Sequence, residues 1–281
     1  MAGRFSNSFA LVKASANVLK LDKELMVFPL MSGIATILVA ASFIAPLIWV
    51  GGPQMFPEGE PVGYAGYVYG FLFYMAQYTV IFFFNAALVG AALIRLDGGD
   101  PSVSDGLAIA SKRMASILGY AAIAATVGMI LRAIQERSGI LGKIIAGFMG
   151  MAWTLTTYLT VPILVTKNVG PVDAIKESAQ IFKRTWGEQV IGNFGMGWAV
   201  ALIALAWTAL SVGVIMAMAS LGVGIGVLFV VGIMVAGYIV LALFASALNG
   251  IYTAALYRFA MTGETGFFDP QIMGNAFRPK K

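Results

Sequence analysis

The sequence predicts an all-α, polytopic transmembrane bundle with six crossings and amphipathic helices on its cytoplasmic side, and three observations predict it. From Gln189 to Tyr257 there are 69 residues without one Asp, Glu, Lys or Arg. A soluble helix must keep one face wet, whereas about 20 apolar residues cross the hydrocarbon core of a bilayer, so this run holds two crossings. Composition agrees: 59 % of residues are hydrophobic and 11 % charged, against about 25 % charged in soluble domains. The apolar runs are also solid, without the alternation of a membrane barrel, and open sheet cannot span lipid.

The elements follow in chain order. Met1 to Leu25 is too long and too mixed for a cleavable signal peptide. It reads as a helix with Phe5, Phe9, Val12, Ala16 and Leu19 on one face. Two readings stand: a helix packed on the end of the bundle, or one lying in the headgroups with its lysines on anionic lipid. Crossing one is Met26 to Val50, entered through Asp22 and Glu24, which suit a helix N-terminus, and Pro29, which suits a first turn. A loop from Gly51 to Gly66 carries Glu58 and Glu60 and no basic residue. Crossing two, Tyr67 to Ile94, is aromatic, with Gln77, Thr79 and Asn85 as its polar points.

Arg95 to Arg113 is polar. Asp97 to Pro101 is turn chemistry, and Val103, Leu107, Ala110, Met114 and Ile117 repeat the helical stripe. Crossing three is Met114 to Leu131, with Arg132 to Arg137 emerging beyond it. Crossing four is Ile144 to Thr166, kinked at Pro162, whose missing N–H frees the carbonyl of Tyr158. Lys167 to Gln189 is polar again, with a third stripe at Ile175, Ala179, Phe182 and Trp186. Crossings five and six, Val190 to Ala219 and Gly226 to Tyr257, reverse through the glycine-rich stretch Ser220 to Gly226. Small residues four apart, Gly213 with Ala217, Gly222 with Gly226 and Gly232 with Ala236, predict close contact of these two crossings, within the chain or between copies.

The chain thus reads as one integral membrane domain over 1–281. Within it, an amphipathic helix followed by a two-crossing hairpin recurs in units 1–94, 95–167 and 168–257, with a polar tail 258–281. Of 18 Lys and Arg, fifteen fall on the side of the termini and three (Arg132, Arg137 and Lys143) on the other. That asymmetry puts both termini in the cytoplasm. Asp22-Lys23-Glu24-Leu25, leading through Phe28-Pro29-Leu30 into an apolar run, resembles an uncharacterised family of six-crossing prokaryotic membrane proteins, a domain of unknown function. A more distant resemblance is to the membrane domain of some glycerophosphodiester phosphodiesterases. The first implies a prokaryotic inner-membrane location and carries over no catalytic or binding residue.

The chain has no Cys and no His, which removes thiolate nucleophiles, imidazole acid–base chemistry and Cys or His metal sites. No phosphate-binding loop, serine elbow or dinucleotide fingerprint is present. The acidic trio Asp97, Asp100 and Asp105 matches no known metal loop and reads as turn and cap residues. The net charge of +5 sits at helix ends, where it suits lipid rather than nucleic acid. No catalytic residue, cofactor or metal is expected. A candidate solute path comprises Thr154, Thr157, Tyr158, Thr160, Pro162, Gln77, Asn85, Asn193 and Asn249, the alternative being plain hydrogen bonding between helices. Headgroup contacts are expected at Lys13, Lys20, Lys112, Arg113, Lys176, Lys183 and Arg184. Arg132 reads as a snorkelling side chain. The expected function is a non-enzymatic membrane scaffold or accessory subunit that grips lipid, a protein partner or a second copy. The alternative is a transporter or channel for a neutral or lipid-like solute.

Overall fold

The computed structural model describes residues 2–49, 63–137, 139–186 and 195–268, with side chains except at 2–9, 137, 184–186, 195–196 and 198–199. Helices α1 (Ala2–Leu21), α2 (Val27–Trp49), α3 (Tyr64–Leu96), α4 (Val103–Lys112) and α5 (Met114–Arg137) make the first half. The second half is α6 (Gly139–Thr156), α7 (Thr160–Thr166), α8 (Pro171–Trp186), α9 (Gly195–Ser220) and α10 (Gly224–Thr262). Among the described residues there is no strand.

Six stretches are long and apolar enough to cross a bilayer: Lys23–Trp49, Tyr64–Leu96, Met114–Glu136, Gly139–Thr166, Val200–Ser220 and Gly224–Thr262. The chain is a multi-pass membrane protein. The polar segment before them and two of those between them are helical, as α1, α4 and α8, so a polar helix precedes a pair of long apolar ones three times over. Each packs through a face close to the expected stripe but rotated from it. In α8 the buried residues are Ala174, Ser178 and Ile181, flanked by Ile175 and Phe182. In α1 they are Leu11, Ser15, Val18 and Leu19.

α3 is the hub, packing on α2, α4, α5, α7 and α10. The core is concentrated toward one end of it, where Ala86 to Ala92 are buried beside Ala247 to Tyr257 of α10 and Leu159 to Val165. Small residues allow the approach. A Cβ on Gly106 of α4 would stand 2.5 Å from the Phe28 ring and 2.7 Å from the Ala87 carbonyl oxygen, and one on Gly250 would collide with Leu88.

Ion pairs close the same end, the charged end of the bundle. Asp22 stands at a helix start, as expected, but makes no side-chain cap bond; its buried carboxylate accepts from Arg95 Nε at 3.1 Å. Arg95 also pairs with Asp100. Glu24 works across the fold too, its Oε2 accepting from the Val103 N–H at the start of α4, 3.1 Å away. Arg258 holds Asp97 at 2.8 Å and Glu264 at 2.6 Å. Asp105 and Ser102 form a reciprocal capping box on α4. The turn and cap reading of the acidic trio is what the geometry has.

The opposite end is looser. α5 runs on to Arg137, six residues past the expected end of crossing three, so Arg132 and Glu136 pair on one helix at 2.7 Å. Arg132 also donates to the Tyr74 hydroxyl at 2.7 Å. The α9–α10 hairpin turns at Leu221–Val223 with Gly222 at φ 71°, inside the expected stretch. Its two helices touch through Trp207, lying against Gly237 and donating to the Met234 carbonyl at 3.1 Å, through Met218 on Gly226, and through Thr208 with Tyr238. Within the chain, the small-residue contact is not made at Gly213 and Gly232, which have nothing within 4 Å of where a side chain would begin. They face outward because the aromatic and thioether side chains, not the glycines, set this interface.

Candidate functional site

Crossing four does more than kink. α6 ends at Thr156, three turn residues follow, and α7 starts at Thr160. Pro162 then lies in the first turn of α7, where no amide is needed. Through the break the bonding tightens: Tyr158 N–H reaches the Leu155 carbonyl at 3.4 Å and Thr160 N–H the Thr157 carbonyl at 3.0 Å. Leu159 N–H is left out of the ladder. A buried amide without an acceptor costs about 1–3 kcal/mol, and Ser178 of α8 supplies the acceptor, its Oγ 3.0 Å away. Ser178 is fully buried.

Other hydroxyls gather here. Thr157 Oγ1 donates back to the Trp153 carbonyl at 2.9 Å, a bond that competes with the helix ladder and favours bending. The Tyr120 hydroxyl of α5 faces Thr157 and Thr160, and its ring stacks on Phe82 with centroids 4.3 Å apart. Thr253 of α10 donates to the Tyr158 hydroxyl at 3.3 Å. Below the break, Thr166 and the Tyr257 hydroxyl are 2.7 Å apart. Thr160 Oγ1 itself lacks a partner of good geometry.

Of the residues expected along a solute path, Thr157, Tyr158, Thr160 and Pro162 meet at this break. Thr154 is exposed and bonded to the Gly150 carbonyl at 2.9 Å. Gln77 sits elsewhere on α3, donating to the Thr36 carbonyl of α2 at 3.3 Å. Asn85 lies on α3 near Gly250, and Asn249 is exposed on α10. Asn193 lies outside the described residues. Tyr120, Ser178 and Thr253 belong to the cluster although the sequence pattern did not select them; a polar residue on the buried face of α8 was the signal for Ser178.

The headgroup candidates distribute as follows. Lys13, Lys20, Lys112, Lys176 and Lys183 are exposed on α1, α4 and α8. Arg113 donates to Asn168 Oδ1 at 2.6 Å, tying the start of α5 to the loop before α8. The side chain of Arg184 is outside the described ones. Lys167 pairs with Glu177, which holds its ammonium above the usual value. A groove of about 610 Å³ runs between α8 and the end of α10, lined by Lys167, Lys176, Gln180, Ile181 and Met261 among others. Among the described residues no cluster of three or more acidic side chains is placed to hold a metal ion.

No curated protein and no solved structure matches the chain. Residues 64–267, from the start of α3 to just past α10, match a family of unknown function, DUF6159. That stretch holds the hub helix, the broken crossing and the last hairpin but not the Asp22–Leu30 segment, and on it the chain belongs to the DUF6159 family.

Proposed function

We propose that the protein is a non-enzymatic scaffold or accessory subunit of a prokaryotic inner membrane, with both termini and the charged end in the cytoplasm. In this reading it grips anionic lipid with its connector helices and offers the α9–α10 hairpin to a partner inside the bilayer. The observation that carries it is the double face of the connectors. α4 and α8 bury one side against the bundle and keep Lys112, Lys176 and Lys183 outward, as expected of helices at a membrane surface. Orientation is supported by the fifteen-to-three split of basic residues along the sequence.

The test is purification in mild detergent followed by native mass spectrometry. Retained anionic lipid together with a stoichiometric partner or a defined oligomer is the expected result. A lipid-free, inert monomer overturns the reading. Reporter fusions at the carboxyl end decide the orientation.

A second reading, a carrier or channel for a neutral or lipid-like solute, is favoured by one observation: a broken crossing, of the kind that lines paths in known transporters. The chain contains no cysteine, so Thr157→Cys gives a single reporter. Labelling of that thiol by a water-soluble reagent supports a path; full protection in intact vesicles removes it.

A further inference from the structure

We infer that α8 is a lever through which anionic phospholipid at the membrane surface sets the conformation of the broken crossing, with Ser178 as the coupling residue. The inference rests on the lipid-gripping reading above and adds to it what the grip controls.

Three observations converge on one helix. The first is that α8 presents opposite chemistries on its two sides. Lys176 and Lys183 are exposed, with Asp173 one turn from Lys176, while Ala174, Ser178 and Ile181 are buried. An anionic headgroup layer attracts such lysines across a Debye length, which pulls the helix outward, away from the bundle. The second is the bond itself. The acceptor for the orphaned Leu159 amide comes from α8, nineteen residues along the chain, and from no neighbour in crossing four. When α8 lifts away, that amide loses its acceptor in an apolar surrounding. Left so, the break at 157–159 loses the bond that fixes it, and the amide opens to exchange. The break and the docked position of α8 therefore stabilise each other.

The third observation is that the fixtures around the break tie it to other helices. Tyr120 of α5 lies beside the break, its ring stacked on Phe82 of α3, and Thr253 reaches Tyr158 from α10. A change in winding at 157–159 consequently re-aims side chains on three crossings. Meanwhile the base of α8 is anchored, by Ser116 Oγ donating to the Val169 carbonyl at 3.2 Å and by Arg113 on Asn168. The Lys167–Glu177 pair also holds α8 one residue from Ser178, so a pull on the outer lysines works against that pair.

The experiment is hydrogen exchange on the full-length protein, read on the peptide covering 155–162. The protein is reconstituted in phosphatidylcholine alone and in phosphatidylcholine with phosphatidylglycerol. Anionic lipid is expected to speed exchange of the Leu159 amide about tenfold, the equivalent of one buried hydrogen bond lost. Ser178→Ala is expected to exchange fast and equally in both lipids. Lys176→Gln with Lys183→Gln keeps the slow component of the pure phosphatidylcholine sample and loses the response, which guards against a folding defect in the serine variant. Equal exchange of the wild-type amide in both lipids overturns the proposal, as does a Ser178→Ala protein that still responds. Native mass spectrometry on the same samples separates the two levels. Phosphatidylglycerol retained beside an unresponsive amide overturns the lever alone, whereas none retained removes the grip on which it depends.

Discussion

The charged end and the outer half of the α9–α10 hairpin are built from the same residue types and behave in opposite ways. At the charged end, α3 and α10 bury Ala86, Ala87, Ala91, Ala247, Ala254 and Ala255 almost completely. Along the hairpin, Gly213 and Gly232 meet nothing, and Met216, Leu221, Ile225 and Phe229 are exposed. α10 takes part in both: at 39 residues it is about 58 Å long at 1.5 Å per residue, well beyond the ~30 Å of a hydrocarbon core. In lipid, apolar surface alone does not draw helices together. Where no ion pair or connector pins the helices, the same alanines and glycines stay open to the bilayer or to a partner. Closure at the charged end comes from Arg95, Arg258 and Glu24, and the small residues then permit the distance those pairs set.

The sharpest way to break that contrast is Arg95→Ala. Asp22 is 5 % exposed and Arg95 17 %, so removing the guanidinium strands a buried carboxylate. Losing one partner of a buried pair costs about 3–5 kcal/mol. The unfolding midpoint in a denaturing-detergent titration is expected to fall steeply. Asp22→Asn with Arg95→Ala should recover part of the loss, and a single variant without any shift would show that closure does not depend on this pair. Gly106→Ala comes next. Its new methyl would meet the Ala87 carbonyl at 2.7 Å, and backbone cannot yield as a side chain does, so overpacking of about 1–3 kcal/mol is expected. Gly213→Ala and Gly232→Ala, on the open hairpin, are expected to leave the monomer's midpoint unchanged or raised. If they instead shift an oligomer on native gels, the hairpin's open face is an interface between copies.

How much of this was legible follows from the range over which each signal acts. The six crossings and three polar helices are written locally, as the uncharged run 189–257 and the stripes of α4 and α8 show. The turn at Gly222 was legible because only glycine tolerates its backbone. The break was half legible. Pro162 announces a disturbance, but a full interruption needs Ser178 from another helix, and no periodicity in residues 144–166 encodes it. Asp22 and Glu24 do sit at a helix start, as read, but their side-chain partners, Arg95 and the start of α4, are distant in sequence. Rotation of the buried face of α8 toward Ser178 also comes from that distant amide.

Smaller effects refine the comparison. Asp105 is held below the usual carboxylate range by the hydroxyl and amide of Ser102. Its folded value is depressed, so its contribution to the α4 cap is present above the unfolded carboxylate pKa and is lost as pH falls through the lowered one. Ser102→Ala is expected to cost about 1 kcal/mol and to flatten that acid dependence. Chemical unfolding followed between neutral and strongly acidic pH in the two proteins measures it, and parallel profiles would exclude the capping box as the titrating element.

The smallest effect is expected at the end opposite Asp22. Arg132 and Glu136 are also an arginine–carboxylate pair, as short as 2.7 Å, but 62 % and 61 % exposed. Exposed pairs one helical turn apart contribute about 0.3–0.5 kcal/mol, and screening by salt reduces even that. Arg132→Gln is therefore expected to leave the midpoint within about 0.5 kcal/mol of the wild type, the Tyr74 hydroxyl finding water or a headgroup instead. Arg95→Ala and Arg132→Gln thus remove the same kind of pair in two surroundings. Equal losses from the two variants would mean that burial does not distinguish the ends of this bundle. A loss confined to Arg95 ties the closure of the charged end to desolvated charge, with the short distance at Arg132 counting for little.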